Sequence, residues 1–212
     1  MKIASGLLMD NKLFIVDFDD SFTLNIASLF YENGSTSEII HWKSIGQLKN
    51  KLTKTNVIIW GPGPGSPRDY SEIFDVIKNC VENVDVYNFG VCLGHQILGL
   101  IRGYELIEAD KKRHGQSESI ELNEYFKNYL KLSKIEVQFY NSLGLNTSTV
   151  GDDKTQLLDG NILIIANERF LSYQFHPESI GTSCPSSLIA PVLAFLYNGC
   201  DEYWYQSRRD LR

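Results

Sequence analysis

Cys92 lies in Gly90-Val-Cys-Leu-Gly94, the thiol counterpart of the Gly-x-Ser-x-Gly nucleophile elbow. Such an elbow is a sharp strand-to-helix turn, and the residues two before and two after the nucleophile must be small for it to close. A thiol at a helix N-terminus also meets unpaired N–H groups, whose partial positive charge favours thiolate. Taken by itself, the pattern would equally suit a buried cysteine at a strand end. A nucleophile needs a base, and His176-Pro-Glu178 offers one: two residues apart in extended chain, the imidazole and the carboxylate point the same way. Glu178 can then orient one ring nitrogen while the other faces Cys92. Isolated, His-Pro reads as an ordinary exposed turn; joined to the elbow, it reads as base and orienter. An attacked carbonyl becomes an oxyanion, and Gly63-Pro-Gly65 suits its stabilisation, because glycines admit close approach of N–H groups and prolines stiffen the loop. The Leu93 N–H, next after the nucleophile, is the usual second donor. Alone, the Gly/Pro run would be a plain surface turn.

The other histidines suit this role less. His41 follows an apolar pair, His114 lies in the charged run Lys111-Lys-Arg-His114, and His95 is three residues past Cys92 on the helix side, expected to point elsewhere.

These residues require strands that end beside one another. Leu13–Asp17, Asn56–Trp60 and Asp85–Val91 are apolar runs of buried-strand length. Each is followed by helical spacing: Phe22, Ile26, Leu29 and Phe30; then Ile73, Val76, Ile77, Cys80 and Val81; then Ile97, Leu98 and Ile101. Asp20 or Ser21 is expected to cap the first helix and Asn33-Gly34 to stop it. From about Ser117 the pattern changes to short runs separated by polar turns: Ser119–Leu122, Ile135–Phe139, Asn161–Asn167 and Phe170–Phe175. Leu188 to Leu196 form a last amphipathic helix. The expected fold is α/β: a doubly wound, mostly parallel sheet flanked by helices, with some antiparallel strands in the second half. Sites in such folds form outside the carboxyl ends of the strands, here after Asp17, Trp60, Val91 and Phe175. One domain is expected over residues 1–198, with a tail over 199–212.

Composition narrows the alternatives. The 212 residues carry 20 Lys+Arg against 26 Asp+Glu, a net charge of −6, without the basic footprint of a nucleic-acid binder. No apolar stretch approaches the length of a membrane span, no signal-peptide core develops, and a cytoplasmic address is the default. The four cysteines are widely spaced, with neither Cys-x-x-Cys nor zinc-ligand spacing. No Walker loop, Gly-x-Gly-x-x-Gly or acidic ligand cluster is present, so no metal and no cofactor is expected.

Together, Gly90-Val-Cys-Leu-Gly-His-Gln96, Gly61-Pro-Gly-Pro-Gly-Ser-Pro67 and Gln174-Phe-His-Pro-Glu-Ser179 resemble the class I (triad) glutamine amidotransferases. Asp17-Phe-Asp-Asp-Ser-Phe22 is similar to the corresponding segment of the chorismate-using branch, the small subunits of anthranilate synthase and aminodeoxychorismate synthase. The resemblance runs from about Lys12 to Tyr197. It implies that Cys92 attacks the side-chain amide of glutamine, with His176 as base and Glu178 orienting it. It implies oxyanion donors at Gly63 and Leu93 and glutamine contacts at Gly65, Gln96, Ser142 and Leu143. It also implies a separate chorismate-binding synthase subunit as the partner that receives ammonia, contacted around His114-Gly115; the loop after Ser179 is a further expected contact. The chain departs from the family's usual residues at Asn141, where histidine is common, and at Gln116, where lysine is. Two rival readings stay open: a free-standing γ-glutamyl thiol hydrolase without a partner, and a binding subunit that has lost turnover.

Overall fold

The computed structural model describes residues 12–52, 56–83, 85–146 and 151–198; the proposed tail lies outside them. Among the described residues, nine strands and six α-helices follow one another. They are β1 (Lys12–Asp17), α1 (Thr23–Glu32), β2 (Glu38–His41), α2 (Leu48–Lys51), β3 (Asn56–Trp60), α3 (Phe74–Glu82), β4 (Val86–Val91) and α4 (Leu93–Arg102). Then come β5 (Leu106–Glu121), α5 (Glu124–Leu130), β6 (Lys134–Leu145), β7 (Lys154–Leu158), β8 (Asn161–Asn167), β9 (Phe170–Tyr173) and α6 (Pro185–Asn198). Short 3₁₀ helices occupy Trp42–Gln47 and Pro67–Ile73.

Seven strands form one sheet in the order β2-β1-β3-β4-β9-β8-β7. The first five pair in parallel, while β8 runs antiparallel to both β9 and β7. Strand alternation divides the apolar residues between two faces. Leu13 and Ile15 join one buried cluster with residues of α1, α5, β6 and α6; Phe14 and Val16 join the other with residues of α3 and α4. Strands buried on both faces read as continuous apolar runs, which is why β1, β3, β4 and β8 stand out in the sequence. The remaining strands, β5 and β6, form a two-stranded antiparallel ribbon. Among the described residues, no helix is long and apolar enough to cross a membrane.

Several expectations need correction. The Ile73–Val81 pattern spans two elements: Ile73 ends a 3₁₀ helix, and Val76 and Val81 are partly buried while Ile77 and Cys80 are core. The start of α1 carries no side-chain cap; Asp20 Oδ1 instead accepts from the Phe22 N–H at 2.8 Å, tightening the turn ahead of it. β9 stops at Tyr173, two residues short of the expected end. Asp159-Gly160 forms the β7–β8 hairpin turn, with both residues at positive φ, as a type I′ turn requires.

Candidate active site

The end of β4 shows why its flanking residues are glycines. Cys92 has φ 50° and ψ −102°, a strained backbone for a residue with a side chain. A Cβ on Gly90 would stand 2.7 Å from Leu98 Cδ1 and 3.0 Å from the Gly94 backbone. A Cβ on Gly94 would collide with the Trp60 carbonyl oxygen. The elbow therefore closes only because α4 begins directly against the end of β3, where the Gly94 N–H donates to the Gly61 carbonyl at 3.1 Å. Leu93 is the first residue of α4, so its N–H has no acceptor within the helix.

The loop after β3 lies over this turn. A Cβ on Gly63 would collide with the Leu93 side chain and stand 2.6 Å from Phe18 Cβ. Gly65 has φ +76°, and a Cβ there would meet Asp69 Oδ2 at 2.6 Å. The loop is fixed from the far side: Ser66 N–H donates to Asp69 Oδ2 at 2.8 Å, and the Tyr70 hydroxyl donates to the Pro64 carbonyl at 3.1 Å. Gly63, Pro64, Gly65, Cys92, Leu93, Gln96, His114, Tyr140, Ser142 and Leu143 line one cleft of about 210 Å³. That is smaller than a drug-sized pocket and suits one small solute.

His176 and Glu178 sit in the segment following β9. Their side chains are 2% and 0% exposed, and His176 Nδ1 bonds Glu178 Oε1 at 2.7 Å. The carboxylate arrives through a turn and not along an extended strand: the Ser179 N–H donates back to the His176 carbonyl at 3.2 Å. The His176 backbone is held twice more, its N–H by the Gln138 carbonyl at 3.0 Å and its carbonyl by Thr182 Oγ1 at 2.6 Å. Phe22 and Tyr140 flank the ring at centroid distances of 5.3 and 5.0 Å.

His176 Nε2 is buried without a hydrogen-bond partner among the described residues. Burial works to lower the imidazole pKa; the neighbouring Cys92 sulfur and the Glu178 carboxylate outweigh it and push the value up to about 10. His95 points away from Cys92. Its ring bonds Ser172 Oγ at 2.8 Å and the Ile162 carbonyl at 3.2 Å, and burial pulls its pKa down to about 3 despite the carbonyl. His41 bonds Asp19 at 2.9 Å.

All nine residues singled out from the sequence thus surround one end of the parallel strands. Gln96 and Leu143 have internal partners there, since Gln96 Nε2 donates to the Leu143 carbonyl at 2.8 Å. Ser142 Oγ is within 2.9 Å of His114 Nε2. Sequence reasoning missed the cleft position of His114. It also missed Gln138, whose Oε1 accepts from Ser179 Oγ and from the Gly181 N–H and so shapes the turn carrying Glu178. Nothing in the local pattern of β6 marks Gln138, because its partners lie some forty residues away.

The family described as Glutamine amidotransferase class-I matches residues 14–192. Anthranilate synthase component 2 of Porphyra purpurea is 32% identical over 189 residues, covering 85% of this chain and 98% of that protein. The protein of the same name from Saccharolobus solfataricus is 34% identical over 179 residues, covering 80% and 91%. Among solved structures, a glutamine amidotransferase from Thermotoga maritima has the same fold, with a TM-score of 0.63 at 12% identity over 95% of this chain and 91% of that one. With the elbow, the His-Glu pair and the glycine loop gathered at the strand ends and the family match spanning the sheet, the chain belongs to the class-I glutamine amidotransferases.

Proposed function

We propose that this chain hydrolyses glutamine through a Cys92 thioester and passes the ammonia to a separate chorismate-using synthase subunit. The reading is carried by Cys92, strained at a helix start and lining a small cleft, with the His176–Glu178 pair coupled to its sulfur. Cys92 Sγ attacks the side-chain amide carbon of glutamine, and the oxyanion meets the N–H groups of Gly63 and Leu93. His176 gives its proton to the departing ammonia, then takes one from the water that cleaves the thioester, while Glu178 holds the ring and its charge. Gly65, Gln96, Ser142 and Leu143 line the cleft and hold the rest of the substrate. The partner is argued from the relatives named Anthranilate synthase component 2; aminodeoxychorismate synthesis draws on the same half-reaction.

The test pairs the chain with a chorismate-binding large subunit. Cys92→Ser should abolish product formation from glutamine and leave formation from ammonium salts intact. Loss of both activities would contradict this division of labour.

A further inference from the structure

Gln174 lies between the end of β9 and the nucleophile, 2% exposed. Both ends of its side-chain amide are engaged: Oε1 is 3.0 Å from Gln96 Nε2, and Nε2 is 3.7 Å from Cys92 Sγ. Amide oxygen and nitrogen are distinguished by their hydrogen-bond network, and here the network is decisive. The Leu143 carbonyl can only accept, so the Gln96 atom 2.8 Å from it is the nitrogen. Its second hydrogen then requires an acceptor, which turns Gln174 Oε1 toward Gln96 and leaves Gln174 Nε2 facing the sulfur. Asn141 Nδ2 donates to the same Leu143 carbonyl at 3.0 Å and fixes that anchor. The amide cannot flip without breaking a buried bond, which is costly.

Resting on the glutaminase reading, we propose that Gln174 is a catalytic residue whose amide N–H donates to Cys92 Sγ and stabilises the attacking thiolate together with His176. The sulfur forms its bond to the amide carbon as the carbon–nitrogen bond later breaks. The thiol proton rests on His176 until it leaves with ammonia, and Gln174 keeps both of its hydrogens throughout. The other titratable groups near the sulfur are Glu178, acting through His176, and His114 and Tyr140 on the cleft wall.

The test is the pH profile of alkylation by iodoacetamide in wild type, Gln174→Met and Gln174→Glu, with adducts assigned by peptide mass. Exposed Cys184 serves as the internal reference, while Cys80 is buried and its thiol is pushed up to about 11 by that burial. The midpoint at Cys92 should rise by about one unit in Gln174→Met and further in Gln174→Glu, roughly a tenfold loss of thiolate at a fixed lower pH. Cys184 should not change. A Cys92 profile identical to wild type in both variants would overturn the proposal. If Gln174→Glu fails to fold, shown by its thermal melt, the Gln174→Met profile decides by the same criterion. The readout needs no glutamine, so a shifted profile in a chain that shows no glutaminase turnover even with the large subunit present would count against the functional reading and still support the sulfur–amide bond.

Discussion

His95 and His176 are both buried, yet their proton affinities diverge, to about 3 and about 10. Desolvation pushes each downward, and the partners decide the outcome. His95 faces a hydroxyl and a carbonyl, whereas His176 faces a carboxylate and a sulfur. Replacing Glu178 with Gln removes the charge that holds the imidazolium, so the alkaline limb of the glutaminase pH profile should move to lower pH. An unmoved limb would separate Glu178 from the titration. His176→Ala should cost on the order of a hundredfold or more in glutaminase rate; a near-normal rate would remove it from the site. His95 makes a stability prediction. Its folded pKa lies below the unfolded value of 6.5, so the unfolded chain binds a proton first as the pH falls. Its contribution is therefore intact above about pH 6.5 and is lost at roughly 1.4 kcal/mol per pH unit below that. In urea titrations, His95→Gln should lack that slope relative to wild type.

Element packing decides whether the elbow exists. Gly94→Ala forces a methyl into the Trp60 carbonyl; the helix must then lift from β3, at about 1–3 kcal/mol or more and with loss of glutaminase activity. An unchanged melt with full activity would show the contact to be soft. At its other end α4 is pinned to the turn before β7. Arg102 makes two 2.6 Å bonds to Asp153, which also accepts from Tyr104 and Asn167 and is 7% exposed. Asp153→Ala should destabilise by roughly 3–5 kcal/mol, since it strands a guanidinium and two polar partners; chemical denaturation measures it. The strand-elbow-helix unit was legible because its signals are local: an apolar run, two glycines, then helical spacing. The His176–Glu178 pairing was legible too, but its extended-chain rationale was not the right one, because a turn held by Gln138 and Thr182 makes the contact. β5 was legible only at its Ser119–Leu122 end. In its charged Lys111-Lys-Arg-His114 segment, Arg113 and His114 pair with β6 while Lys111 and Lys112 fall in the first of two irregularities, and no alternation of its own marks the segment as strand. The helix α5 offers just Phe126, Tyr129 and Leu130 as a buried face, too short for periodicity to show, although Asn123 capping Phe126 at 3.0 Å was a readable start signal. β2 is a four-residue edge with Ile40 as its one buried residue.

Across the whole molecule, the parallel half of the sheet carries the proposed nucleophile and oxyanion loop, while β6 and the segment after β9 carry the cleft walls and the proposed base. The candidate catalytic residues all lie in this chain, yet His176 Nε2 makes no hydrogen bond among the described residues; under the proposed function the partner takes up the ammonia. Docking of the chorismate-binding subunit should bring His176 and Cys92 together and so raise kcat/KM for glutamine, with Cys92 still the attacking group. Identical turnover with and without that subunit would favour the free-standing hydrolase.

Whether Cys92 is a nucleophile directed at glutamine is decided by intact-protein mass after exposure to an electrophilic glutamine analogue. One adduct is expected on wild type, suppressed by excess glutamine and absent from Cys92→Ala. An adduct that persists in Cys92→Ala, or wild type that stays unlabelled with the large subunit present, would contradict it.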